Sequence, residues 1–268
     1  MEIRKSLTAI ILAAGKGSRM NSGGLSKVLH EVNGMTMLDR VLQTLTQIKL
    51  EHYCLVLGKN WTEFTSITEK YKDLAICIQK ELNGTAGAVA SCAPFFKNIN
   101  PIAYASHTLQ KGRPVEGQSY VLICYGDTPM IKASVIEEFV LHSLKKNCDM
   151  CGLGMNIPEP KGYGRLILDE NKKLSRIVEE KDATTKEKEV SLCNSGMLIA
   201  RTEKLFKYLE QVESKNAQGE YYLTDTIALA RKETEVEVFT TDDWQSFLGI
   251  NTKEQLQNLQ KKFKNIGY

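Results

Sequence analysis

Apolar residues come in short bursts along this chain, and their spacing switches back and forth between two periods. Thr8–Leu12, Tyr53–Leu57, Ala75–Gln79, Tyr120–Cys124 and Met150–Met155 are brief, nearly continuous apolar runs, the pattern of strands buried on both faces. Between them the period lengthens. Met37, Leu38, Val41, Leu42, Leu45 and Ile48 fall on one helical face, as do Val135, Ile136, Phe139 and Val140. This alternation predicts an α/β fold, Rossmann-like, with a mixed, mainly parallel sheet flanked by helices.

The rhythm breaks at "GRLILDENKKLSRIV", where two apolar runs flank the turn "DENKK" and predict a β-hairpin added to the sheet. "NSGMLIA" and "EVEVFT" read as further strands, and "YYLTDTIALARK" as helical. "NTKEQLQNLQKKFK" (residues 251–264) reads as a closing helix, with Asn251 as N-cap and Glu254 three residues on. No Pro/Gly/Ser-rich linker and no repeat divides the sequence, so residues 1–268 are expected to form a single domain. Residues 98–119 lack periodicity and are expected to be a surface insertion.

Composition narrows the function classes. The net charge of +3 over 268 residues is small and evenly spread, which argues against a nucleic-acid partner. The apolar run before the first glycine loop is too short for a membrane span and lacks a leader's cleavage pattern, so no membrane partner is expected. Seven cysteines, an odd number scattered through apolar runs, point to a reducing, cytoplasmic setting. Cys148 and Cys151 form a C-x-x-C, but it enters a strand-like stretch with no second pair or spaced histidines. Both are read as small apolar fillers.

Candidate chemistry sits in the loops. Ligands of open α/β sheets bind beyond the carboxyl ends of the strands. Three loops of unusual composition belong there: "AAGKGSRM" after the first strand, "QKELNGTAGA" after the third and "YGDTP" after the fourth. The first is not a dinucleotide fingerprint, since Met20 stands where the third glycine would be, and no kinase-type phosphate loop occurs. Small residues and glycines still let backbone N–H groups approach an anion, and Arg19 and Lys27 add full positive charge.

The motifs "LAAGKGSRM", "KVLHEVNGMTML", "ELNGTAGA", "YGDTPMI", "GYGRLILDENKKLSRIVEEKDA", "NSGMLIA", "AQGEYYLTDTIALA" and "GINTKEQL" occur in that order. Together, from about Ala9 to Leu259, they resemble the uridylyltransferase domain of bacterial N-acetylglucosamine-1-phosphate uridylyltransferases. "LAAGKGSRM" alone marks only the wider sugar nucleotidyltransferase superfamily, whereas "AQGEYYLTD" with "GYGR" and "IVEEKDA" is specific to this branch. The resemblance implies the nucleotide-diphospho-sugar transferase fold. It also implies a Mg²⁺-dependent reaction of UTP with N-acetylglucosamine-1-phosphate, giving UDP-N-acetylglucosamine and pyrophosphate.

By that resemblance, Leu12, Ala13, Ala14 and Gly15 contact the nucleotide, Arg19 lies over the triphosphate and Lys27 neutralises the α-phosphate. Gln79 reads the uracil edge, beside the nucleotide-contacting pair Gly84 and Thr85; Thr85 also reads as the N-cap of the following helix. Asp127 holds the metal, and Asn251 is implied as its second ligand and a sugar-nucleotide contact, in competition with its reading as an N-cap. Tyr125, Gly126, Gly164, Glu179 and Asn194 fall at sugar-binding positions, with Lys181, Tyr222 and Thr224 in support.

The sequence departs from the family in places. Ser26 replaces the proline of "LPKVLH", one residue is inserted in "NSGGLSK", and the family's "GTGHA" is here Gly84-Thr85-Ala86-Gly87-Ala88, without the histidine. Bifunctional members also carry a hexapeptide-repeat β-helix for acetyl transfer and trimerisation. No such repeat is present before Tyr268, so another protein is expected to supply the acetylated precursor. Three readings stand: a uridylyltransferase, a relative using another hexose-1-phosphate or nucleotide, and a non-catalytic sugar-nucleotide-binding protein.

Overall fold

"LTAIIL" forms β1 (Leu7–Leu12), and all six of its side chains are buried, as expected for a strand covered on both faces. The computed structural model describes residues 7–15, 17, 20, 24–99 and 119–266. Residues 100–118, the bulk of the expected insertion, lie outside them, as does Arg19. After β1 come the short β2 (Glu31–Val32) and β3 (Met35–Thr36), then α1 (Met37–Ile48), β4 (His52–Leu57), α2 (Thr65–Lys70), β5 (Leu74–Ile78), α3 (Thr85–Ala90) and α4 (Ala93–Ile99). The chain continues through β6 (Tyr120–Tyr125), α5 (Ala133–Lys145), β7 (Met150–Asn156), β8 (Arg165–Leu168), β9 (Leu174–Val178), α6 (Thr185–Lys188), β10 (Leu192–Arg201), α7 (Thr202–Leu209), α8 (Asp225–Ala230), β11 (Glu237–Thr241) and α9 (Lys253–Ile266).

Among the described residues the main sheet runs β11-β7-β10-β6-β1-β4-β5, with β8 and β9 attached beside β10. β6, β1, β4 and β5 are mutually parallel, as are β7 and β11. β10 is antiparallel to both β6 and β7. The expected hairpin is β8–β9, and its turn is held by Asp169, whose Oδ1 accepts from the backbone of Asn171 and Lys173, both at 2.9 Å. Alternation along β1 builds two cores. Ala9 and Ile11 pack with Leu38, Leu42, Ile136 and Phe139 of α1 and α5, while Ile10 and Leu12 pack with Val89, Leu205 and Ile227 of α3, α7 and α8.

α1 shows what fixes each helix in place. Thr36 caps it by accepting from Asp39 N at 3.1 Å, worth ~1 kcal/mol. Its six buried apolar side chains contribute about 1.5–3 kcal/mol each, so burial, not the cap, decides its position. α9 lies against the β2–β3 pair, with Ile250 and Leu259 joining Val32 and Met37 in a third small core.

Two expected caps are corrected. Thr252, not Asn251, caps α9: its Oγ1 accepts from Gln255 N at 3.2 Å while Gln255 Oε1 accepts from Thr252 N at 3.1 Å, a reciprocal capping box one residue late. Likewise Gly84, not Thr85, is the N-cap of α3, because the Thr85 hydroxyl accepts from Leu223 N at 2.9 Å. All seven cysteines are buried and without disulfides. Cys148 and Cys151 lie in the core beneath α5, and the Cys148 thiol donates to Ser143 O at 3.3 Å. No helix among the described residues is long and apolar enough to cross a membrane.

Candidate active site

The carboxyl ends of β1, β4, β5 and β6 share one edge of the sheet, and the loops leaving them are pinned to each other. Ala13 N donates to Val56 O at 2.9 Å, Gln79 N to Leu57 O at 2.8 Å and Gly126 N to Leu12 O at 3.0 Å. Above them opens a cleft of about 490 Å³. Of the expected residues, Leu12, Ala13, Ala14, Gly15, Lys27, Gln79, Gly84, Thr85, Tyr125, Asp127 and Asn251 line it. Glu220, from the distant "AQGEYYLTD" segment, lines it too, a carboxylate the sequence reading did not single out. The only signal was its place in that motif.

Glycine is required where backbone crosses backbone. Gly17 has φ +59°, and a Cβ there would stand 2.7 Å from the Lys27 Cβ, so the loop passes close over the lysine. Gly84 has φ +118°, and its Cβ would meet Tyr221 O at 2.4 Å. That contact is where residues around Tyr221 dock on the β5–α3 loop: Tyr221 N donates to Asn83 O at 2.8 Å and Tyr221 O accepts from Ala86 N at 2.9 Å.

The centre of the cleft is charged. The Lys27 ammonium is ion-paired with Asp127 and also donates to Asn251 Oδ1 at 2.9 Å; Lys27 and Asp127 are each only 14% exposed. Asn251 is aimed by its neighbours. Its Nδ2 donates to Gly249 O at 3.2 Å, which turns Oδ1 toward Lys27, and Ile250 N ties this loop to Asp127 O at 2.9 Å. With Thr252 as the cap, the Asn251 side chain is released from the helix end. A carboxylate and an amide oxygen thus converge on one cation, here the lysine ammonium. Such hard oxygen donors suit Mg²⁺, which takes one or two carboxylate or amide oxygens and fills the rest with phosphates and water.

Gly164, Glu179 and Asn194 stand outside this cleft, grouped beyond Tyr125. Asn194 N donates to Gly164 O at 2.8 Å, and its Oδ1 is spent on Gly196 N at 3.0 Å. A Cβ on Gly164 would reach 3.2 Å from Glu179 Oε2. Burial pushes the Glu179 carboxyl above the ordinary range, against a Thr224 hydroxyl that donates to it at 3.1 Å. The Tyr125 phenol is pushed up by burial, and then by the negative charges of Glu179 and Asp127. Lys181 donates to Gln218 Oε1 at 2.6 Å, and Gln218 Nε2 to Tyr222 Oη at 2.9 Å, linking two supporting residues in one chain. Gly126 faces inward: its Cβ would meet Leu38, Val28 and Ala13 at 3.1–3.5 Å, leaving only its backbone to face a ligand.

Comparisons with known proteins bear on the family and the fold. The MobA-like NTP transferase domain family matches residues 9–189. Bifunctional protein GlmU of Cereibacter sphaeroides is 35% identical over 263 residues, 97% of this chain and 53% of that protein. GlmU of Paraburkholderia phytofirmans is 33% identical over 261 residues, 95% of this chain and 51% of that protein. GlmU of Staphylococcus carnosus is 33% identical over 262 residues, 96% and 52%. The chain spans about half the length of the curated relatives it matches.

Among solved structures, UDP-glucose pyrophosphorylase complexed with UDP-glucose superposes with a TM-score of 0.72 over 97% of this chain and 98% of that one, at 14% identity. A Bacillus anthracis structure assigned as a glucose-1-phosphate thymidylyltransferase gives 0.68 over 98% and 97%, at 19% identity. The fold is that of nucleotide-diphospho-sugar transferases. With a matched span that begins in β1 and runs past the hairpin and α6, the chain belongs to the MobA-like NTP transferase domain family.

Proposed function

We propose that this chain is a Mg²⁺-dependent uridylyltransferase that joins UTP and N-acetylglucosamine-1-phosphate into UDP-N-acetylglucosamine and pyrophosphate. The observation that carries the reading is the meeting of Lys27, Asp127 and Asn251 at the floor of a glycine-lined cleft. A sugar-phosphate oxygen attacks the α-phosphorus, the bond from that phosphorus to the bridging oxygen breaks, and pyrophosphate leaves with the electron pair. The attacking phosphate is already ionised, so no protein nucleophile is needed. Catalysis falls to positioning and to positive charge where negative charge gathers.

Each residue then has a part. Backbone from Leu12 to Gly15 lies along the nucleotide, Lys27 sets its ammonium against the α-phosphate, and Arg19 is assigned to the triphosphate. Asp127 and Asn251 would hold Mg²⁺, which would offset negative charge on the phosphates. Glu179, Asn194 and the Gly164 backbone suit a ring with hydroxyls and an N-acetyl group. The buried unpaired cysteines suit a reducing cytoplasm.

Gly87 in place of the family's histidine favours a second reading, a different nucleotide with the same chemistry. The test is pyrophosphate release with Mg²⁺, UTP and N-acetylglucosamine-1-phosphate, beside ATP, CTP, GTP and glucose-1-phosphate. Release with the first pair alone is the expected outcome. Release with another pair would move the specificity, and silence from folded protein would leave a binding protein.

A further inference from the structure

The altered loop after β5 contains a small interlocking unit. Gln79 is 5% exposed and lines the cleft. Both hydrogens of its side-chain amide are committed: Nε2 donates to Asn83 Oδ1 at 3.2 Å and to Gly84 O at 3.0 Å. Among the described residues no donor reaches its Oε1, so an acceptor oxygen is what Gln79 offers the cleft. A glutamine amide has nearly the same shape either way round, and only its neighbours decide which end faces out.

Asn83 in turn needs Gly87. A Cβ at position 87 would stand 1.9 Å from Asn83 Oδ1 and 2.8 Å from its Cγ, a contact no side chain could make. The backbone of Gly87 is not in the left-handed region, so its glycine serves space rather than conformation. Where the family has a histidine, this chain has no side chain, and Asn83 fills the room.

We propose that Asn83 is a positioning residue for base selection, seated by Gly87, that holds Gln79 with its oxygen toward the base. An outward acceptor favours a base with a ring N–H at that edge, as uracil has at N3. It opposes cytosine, whose N3 is itself an acceptor; two acceptors face to face leave both unpaired in a closed site. The proposal rests on the reading of this cleft as a UTP site.

The experiment measures kcat and KM with UTP and with CTP for the wild type and for Asn83→Leu, Asn83→Asp, Gly87→Ala and the double variant Asn83→Leu/Gly87→Ala. Asn83→Leu and Gly87→Ala are expected to lower the UTP-over-CTP ratio of kcat/KM by about tenfold or more, mostly through KM, since the base lies away from the reacting phosphorus. Asn83→Asp, which still accepts from Gln79 Nε2, is expected to keep the wild-type ratio. The double variant should be no worse than either single one, because both disturb the same contact. A ratio unchanged in Asn83→Leu and Gly87→Ala, or a proportional loss with both nucleotides, overturns the proposal. A wild-type enzyme that turns over no UTP overturns instead the uridylyltransferase reading on which it rests.

Discussion

Lys27 carries two duties that a single variant can separate. Without substrate its ammonium balances Asp127 and donates to Asn251; with substrate it is assigned to the α-phosphate. Replacing it by alanine deletes charge beside the reacting phosphorus, and kcat should fall about 10²–10³-fold. The same change leaves Asp127 without its ammonium, so divalent binding to the nucleotide-free protein should tighten, which a Mn²⁺ titration followed by electron paramagnetic resonance would read. An unchanged kcat would return Lys27 to a purely structural pairing with Asp127. The residue types at this site were legible because they sit in motifs of fixed order. Glu220 was not, because nothing in "QGEYY" marks one carboxylate as facing a loop more than a hundred residues earlier.

Elements decide where those side chains point. Five strands expected from apolar runs are found within about a residue of their expected ends, because each run is nearly all apolar and so has few polar positions to blur its limits, even in the edge strand β5, where Ile76 is exposed. Helix starts were less legible. Asn251 and Thr252 are both good caps; Gln255 Oε1 accepts from the backbone N of both, at 2.7 and 3.1 Å, and the choice fell to the Thr252 hydroxyl, which accepts from Gln255 N. That one-residue choice has a functional consequence, since an Asn251 spent on capping could not face Lys27. Thr252→Ala should cost ~1 kcal/mol of stability and roughly 2–4 °C in Tm. If Asn251 then takes over the cap, Mg²⁺ dependence should weaken as well; a variant with the lower Tm but unaltered Mg²⁺ dependence would show that the Asn251 side chain keeps its place without the Thr252 cap.

At the scale of the whole molecule, two cores back a sheet, and the hairpin attached beside β10 carries a part-buried carboxyl, Glu179, just after β9. Burial raises Glu179 above its ordinary value, so the folded protein holds that proton more tightly than the unfolded chain does. Its contribution to stability is complete below the unfolded pKa and is lost as pH climbs through the folded one. Glu179→Gln keeps an acceptor for Thr224 and has no charge to bury. Relative to wild type it should therefore gain stability as pH rises from about 4 to 7, while KM for the sugar phosphate rises. Urea unfolding across that range measures the first effect, and a gap that does not widen with pH would mean Glu179 is ionised at little cost.

The sequence by itself determined the alternation of strand and helix, the hairpin, and the loops that gather at one edge. Apolar spacing sets which faces must be covered, and parallel strands bring every second connection to the same side. Only the tertiary structure decided that Lys27 lies between Asp127 and Asn251, that Asn83 occupies the room over Gly87, and that residues near Tyr221 close on Gly84. Those contacts join residues far apart in the chain or choose between groups of equal local propensity. Local pattern is silent there, and packing settles the choice by which atoms fit and which polar groups find partners.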